Sequence, residues 1–131
     1  MNLEVGMYVR GKYYSYKGKI GKIIKNYNGD LEIAYKDGVL KTNVGSFIDD
    51  NYDINGKQYK ASYNIINILE VGDIIRYRID KVPLETKGYL TGVIDIADEE
   101  MLKSIKEDKN YHVLQILTKE QFEQMSYKIK E

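Results

Sequence analysis

The chain has no cysteine, no tryptophan, one proline and one histidine, and its charges cancel at 20 Lys plus Arg against 20 Asp plus Glu. Each shortage removes a class of function. Without thiols there can be no disulfide, no cysteine nucleophile and no Cys-ligated zinc. A lone histidine, His112, excludes His-rich metal centres and most serine–histidine machinery, so no metal, cofactor or catalytic residue is expected. Zero net charge argues against a general nucleic-acid coat, whose affinity rests on excess positive charge, although a local basic patch stays open. No window approaches the ~20 apolar residues of a membrane span. The opening Met1–Gly6 has no basic stretch before an apolar run, so no signal peptide is expected. These shortages predict a soluble cytoplasmic protein with no membrane partner.

What is present is tyrosine, 13 of 131 residues. Lys, Ile, Tyr and Asn are all plentiful and all have AT-rich codons, so a low-GC genome accounts for much of the tyrosine. Tyrosine is also a good strand former. The length suits one ordinary domain or two very small ones.

An internal repeat favours two. Leu3-Glu4-Val5-Gly6 recurs letter for letter as Leu69-Glu70-Val71-Gly72. Met7-Tyr8-Val9-Arg10 then aligns with Asp73-Ile74-Ile75-Arg76. Gly18-Lys19-Ile20-Gly21-Lys22-Ile23 resembles Gly88-Tyr89-Leu90-Thr91-Gly92-Val93. The pattern reads as two copies of one β-unit, residues 1–68 and 69–131. In each, a glycine turn leads into a strand of period-2 alternation. In the second copy Ile75, Tyr77 and Ile79 share one face, and Ile74, Arg76, Arg78 and Asp80 share the other.

Asn28-Gly29, Asp37-Gly38 and Asn55-Gly56 are hairpin signals, because two-residue hairpins need positive φ. Short strands with such turns favour a small, bent antiparallel barrel. A turn of helix is expected near Tyr63–Ile65, with a closing strand up to Leu69. In the second unit, Asp98–Lys106 reads as a helix with Asp98 as N-cap, acids in the first turn and Leu102 and Ile105 on its apolar stripe. Tyr111–Leu117 reads as a strand, with His112 on the face of Leu114 and Ile116. Thr118-Lys119-Glu120-Gln121 matches a capping box and opens a helix through Met125, with Phe122 and Met125 turned inward. Ser126–Ile129 can close as a final strand. The fold class expected is mostly β with a small α component, the second unit carrying helices near 98–108 and 119–125.

Val5–Arg10 followed by Gly18–Ile23 resembles the opening of bacterial and phage SH3-like barrels. Asn64–Asp73 resembles the join between successive units in small proteins of clostridial phages and prophages. Ile116-Leu117-Thr118-Lys119-Glu120-Gln121-Phe122-Glu123 resembles the tail of the same group. The tyrosine-rich loop Gly11–Lys17 and the helix after Asp98 depart from that pattern. The resemblance implies two tandem SH3-like antiparallel β-barrel units in a non-enzymatic phage accessory protein of the host cytoplasm. Such a protein would counter host defence by occupying a defence protein or sequestering a small nucleotide signal. Alternatives are a nucleic-acid-binding SH3-like regulator and a virion adaptor component. A homo-oligomer is left open.

The candidate binding residues are Arg10, Lys12, Tyr13, Tyr14, Tyr16, Arg76 and Arg78. Arg10 and Arg76 hold equivalent repeat positions. Arg78 lies about 7 Å from Arg76 along one strand face, where two guanidinium forks can bracket a phosphate or carboxylate. The plainer alternative is a solvated face on which these arginines pair with Asp80 or Asp95. In Lys12–Lys17, tyrosines flanked by lysines suit stacking on bases or contact with a protein; the alternative is a hairpin whose rings cover the barrel. Asn51–Gly56 partly matches a calcium loop, but its twelfth position is Ser62 and no helices flank it, so a hairpin turn is the better reading. The acids of Asp49-Asp50, in a loop, and of Asp98-Glu99-Glu100 form no tuned acid–base pair.

Overall fold

Both copies of Leu-Glu-Val-Gly fold into one and the same turn. In the first, the Met7 N–H donates to the Glu4 carbonyl (3.1 Å), and Gly6, the third residue, has φ 95°. This is type II geometry, which demands a positive φ at that position. The Gly6 N–H then donates to the Ile23 carbonyl (2.8 Å) and the Ile23 N–H to the Met7 carbonyl (2.9 Å), so two residues face one across the ladder as a glycine-led bulge. The second copy repeats each bond. Asp73 N–H donates to the Glu70 carbonyl (3.1 Å), Gly72 N–H to the Ala97 carbonyl (2.9 Å) and Ala97 N–H to the Asp73 carbonyl (2.8 Å), with Gly72 at φ 97°. Burial repeats as well: Leu3 and Leu69 are buried, Val5 and Val71 exposed, Val9 and Ile75 fully buried.

The computed structural model describes residues 3–11, 17–51, 60–80 and 92–129. The chain divides into two units, Met1–Ile68 and Leu69–Glu131. The fold is mostly β, built on two antiparallel sheets.

The first unit contains β1 (Tyr8–Arg10), β2 (Ile20–Tyr27), β3 (Asp30–Tyr35), β4 (Gly38–Asn43), helix α1 (Val44–Asn51), β5 (Lys60–Ser62) and a 3-10 turn at Ile65–Ile68. The strand order is β4-β3-β2-β1-β5. Asn28 and Gly29 both take positive φ, 50° and 90°, the type I′ pair that the Asn-Gly signal predicts. Alternation sends Ile23, Leu31 and Ile33 into a core with Leu3, Met7, Val9 and Phe47. Removing Ile33 to alanine would cost about 2–5 kcal/mol in such a site. Helix α1 was not expected, and it takes in the backbone of Asp49-Asp50, read above as a loop. Its signals were present: the Asn43 side chain accepts from the Ser46 N–H (2.8 Å) as an N-cap, and Val44, Phe47 and Ile48 fall on one face against the core. The helical turn near Tyr63 lies later than expected, at Ile65–Ile68, and no strand leads up to Leu69. Strand Tyr52–Ile54, the Asn55-Gly56 turn and the calcium-like segment lie outside the described residues, apart from Asn51 at the end of α1.

The second unit contains β6 (Ile74–Ile79), β7 (Val93–Ile96), α2 (Glu99–Glu107), β8 (Tyr111–Leu117) and α3 (Lys119–Met125), with strand order β7-β6-β8. Asp98 caps α2 by accepting from the Met101 N–H, and Leu102 and Ile105 are buried as the stripe predicts. The capping box of α3 is complete. Two expectations fail here. Phe122 and Met125 do not turn inward: they are 48% and 75% exposed. Ser126–Ile129 forms no strand. The seven-residue helix is held by its first turn rather than by an apolar face, which leaves those side chains outside.

The repeat also needs a different register from the one read off the letters. The strand matching β2 is β7, four residues beyond the expected Gly88–Val93. Gly18 and Gly92 are the equivalent glycines, at φ 77° and 75°, and Ile23 is equivalent to Ala97. β5 and β8 are equivalent too, each pairing antiparallel on the far side of β1 and β6. A residue one or two positions past each of these strands lies over the turn glycine. Tyr63 covers Gly6 and its hydroxyl donates to Glu4, while Lys119 covers Gly72 and its Nζ lies 3.0 Å from the Glu70 carboxylate. The units differ in the insert between these strands, which is β3, β4 and α1 in one and α2 in the other. Among the described residues neither sheet closes into a barrel: β4 and β5 end one sheet, β7 and β8 the other.

Candidate functional site

The face of β6 that carries Arg76 and Arg78 is open. Cross-strand partners share a face, so the pairs Ile74–Ile96, Arg76–Ile94, Ile74–Leu117, Arg76–Gln115 and Arg78–His112 define it. The opposite face carries Ile75 and Tyr77, as the alternation requires. The Tyr77 ring tilts against Tyr111 at 5.6 Å, and burial, then the charge of Asp95, then Tyr111 raise the Tyr77 pKa.

Arg76 is exposed, and its Nη1 donates to the Gln115 side-chain oxygen (3.3 Å). Its guanidinium passes over Gly92, where a Cβ would stand 3.0 Å from Nη2. Among the described residues no carboxylate pairs with it. Ile94 beside it is 67% exposed. An arginine laid along a strand, oriented by a neutral amide and bordered by an exposed isoleucine, is a cation held in place with no carboxylate partner among the described residues.

Arg78 is different. Its Nε donates to Asp80 (3.1 Å), and the other oxygen of that carboxylate lies 2.6 Å from His112 Nε2. Partial removal from water acts to raise the Asp80 pKa, but the His112 hydrogen bond and charge and the Arg78 charge and hydrogen bond outweigh it and lower the value. This is the paired alternative weighed from the sequence, with Asp80 as the acid. The sequence put His112 on the face of Leu114 and Ile116. A bulge in β8 shifts the register between Arg76 and Tyr77, so Gln115 and His112, three apart, both reach the outer face. Strict alternation cannot show that, and it is why the Arg78–Asp80–His112 cluster was not foreseen.

Arg10 does not share the fate of Arg76. It is fully buried, and its Nη1 donates to the Ile68 carbonyl (3.0 Å). The 3-10 turn after β5 packs against β1 and supplies that carbonyl. Arg10 is a core residue of the first unit, not part of a surface site. Lys12, Tyr13, Tyr14 and Tyr16 lie outside the described residues.

The first unit has a shallow depression of about 600 Å³ lined by Lys25, Tyr27, Asp30, Leu31, Glu32, Lys41 and Thr42. Glu32 stands between Lys25, 3.4 Å away, and its cross-strand partner Lys41, so the charges there answer one another. Among the described residues, no group of three or more His, Cys, Asp or Glu could hold a metal, and no helix is long and apolar enough to cross a membrane. No protein family, curated protein or solved structure matches the chain.

Proposed function

We propose that the protein is a non-catalytic binding module whose second unit grips an acidic protein surface through Arg76. The observation that carries this is the exposed guanidinium, oriented by Gln115 over Gly92 and bordered by Ile94. A flat, mixed apolar and cationic face suits a protein partner better than a free nucleotide, which needs a concave site to bury it. The resemblance to clostridial phage proteins makes a host-defence component the partner to seek first. The strand order β4-β3-β2-β1-β5 and the shared turn-and-bulge support a further proposal: both units descend from one SH3-like unit, the second carrying α2 in place of β3, β4 and α1.

The test is affinity capture from host lysate with the parent, Arg76→Ala and, as control, Lys103→Ala on the exposed side of α2. The captured protein is then titrated in pure form. Arg76→Ala should weaken binding about tenfold, the effect of about 1.4 kcal/mol. Undiminished binding by Arg76→Ala refutes the site. Tight, salt-sensitive binding of generic DNA or RNA would instead promote the nucleic-acid reading.

A further inference from the structure

We infer that the outer edge of β7 is a strand-addition site, and that its occupant is the segment Tyr127-Lys128-Ile129 of a second copy of this chain. The inference is independent of the Arg76 reading. It starts from the comparison of the two units. In the first, β2 is bonded on one side to β1 and on the other to β3. Its equivalent, β7, is bonded to β6, and among the described residues no strand lies on its other side.

That edge is built to receive one. The Ala97 N–H points to β6, where it donates to the Asp73 carbonyl. Amides alternate sides along a strand, so those of Ile94 and Ile96 point away from β6. Their side chains are 67% and 62% exposed. The Ile96 N–H is satisfied locally, by the carboxylate of Asp95 at 2.8 Å.

The matching half is in the same unit. The chain leaves α3 through Ser126 in extended geometry, and Tyr127–Ile129 joins no ladder. Tyr127 is 92% and Ile129 81% exposed, with Lys128 between them. Ile94-Asp95-Ile96 reads apolar, acidic, apolar; Tyr127-Lys128-Ile129 reads apolar, basic, apolar. In the antiparallel register Ile96–Tyr127, Asp95–Lys128, Ile94–Ile129, both apolar pairs fall on the outer face. Asp95 and Lys128 then form the non-hydrogen-bonded pair, in which side chains stand closest. Lys128 would exchange its exposed partner Glu123, now at 2.8 Å, for Asp95. That exchange is nearly neutral. It also draws the Asp95 carboxylate off the Ile96 amide, freeing that amide for the incoming carbonyl. Reciprocal exchange gives a closed twofold dimer.

The test is charge reversal with mixing. Asp95→Lys and Lys128→Asp each set like charges against each other twice in the dimer, and each should raise the dimer dissociation constant about tenfold or more by sedimentation. An equimolar mixture should dimerise like the parent. In a mixed dimer the introduced lysine of one copy meets the introduced aspartate of the other, and the second junction keeps the native Asp95–Lys128 pair. Native mass spectrometry with one variant isotope-labelled should show the mixed dimer in excess. A parent that stays monomeric up to about 1 mM, where affinities are only about 4 kcal/mol, overturns the inference. So does a mixture that behaves like its two components, the result expected if the tail folds back on its own β7. Single variants that dimerise as the parent does overturn it as well.

Discussion

Asp73 offers the sharpest perturbation, because the first unit supplies its own control. The Asp73 side chain is fully buried at the last position of the turn. One oxygen accepts from the Glu70 N–H (2.8 Å) and the other from the Lys119 N–H (3.0 Å), the first amide of α3. The capping box serves Thr118 and Gln121, so Asp73 satisfies an amide that the box leaves over. The equivalent residue, Met7, makes only the first of these bonds, its sulfur accepting from the Glu4 N–H at 3.3 Å. Asp73→Met should therefore keep the turn and lose the helix anchor. A hydrogen bond to a charged group is worth about 1.5–3 kcal/mol, partly offset here by relief of carboxylate burial and by added apolar contact. The expected net loss is about 2 kcal/mol. With m near 2 kcal/mol/M for a small protein, the urea midpoint of the second unit should fall by about 1 M. Amide hydrogen exchange makes the argument specific. Lys119 and the first turn of α3 should lose protection, while Ile75 in β6 exchanges only through the lowered global stability. If Asp73→Met leaves both the midpoint and the Lys119 amide unchanged, the anchor is not what holds α3, and the account of why that helix forms without a buried face is wrong.

The equivalent arginines should separate by stability. Arg10→Ala removes a large buried side chain and strands the Ile68 carbonyl, so it should cost about 2–4 kcal/mol. Arg76→Ala, on an open face, should stay within about 0.5 kcal/mol; similar urea midpoints for the two variants would contradict the assigned environments. The Asp80 carboxyl, followed by NMR, should titrate below the ordinary aspartate value, and His112→Ala should move its midpoint upward. A depressed folded pKa contributes stability above the unfolded value and loses it as pH falls through the folded one, so the Asp80 contribution should be lost as pH falls below the ordinary aspartate range. A midpoint indifferent to His112 would sink that reading.

Local chemistry was legible from the letters alone. Leu-Glu-Val-Gly announced a turn because only glycine takes a positive φ without cost, and its recurrence marked two units. Asn28-Gly29, the Asp98 cap and the Thr118 box specify their own geometry within four residues, so they needed no partner to be read. The period-2 alternation of β6 separated Ile75 from Arg76 for the same reason. Long-range contacts decided the rest. Whether an arginine after the turn is core or surface depends on what packs over it: Arg10 is buried and bonded to the 3-10 turn, and Arg76 is exposed. The bulge at the middle of β8 moved His112 to the face of Arg78, because register is a property of two strands and not of one. The second copy's strand lay four residues beyond the best letter match, since backbone pairing with β6 tolerates Val93–Ile96 in place of the glycines. Phe122, Met125 and the tail looked like core by composition. They are exposed, because an apolar side chain is buried only where tertiary packing brings a surface against it, and among the described residues none does so.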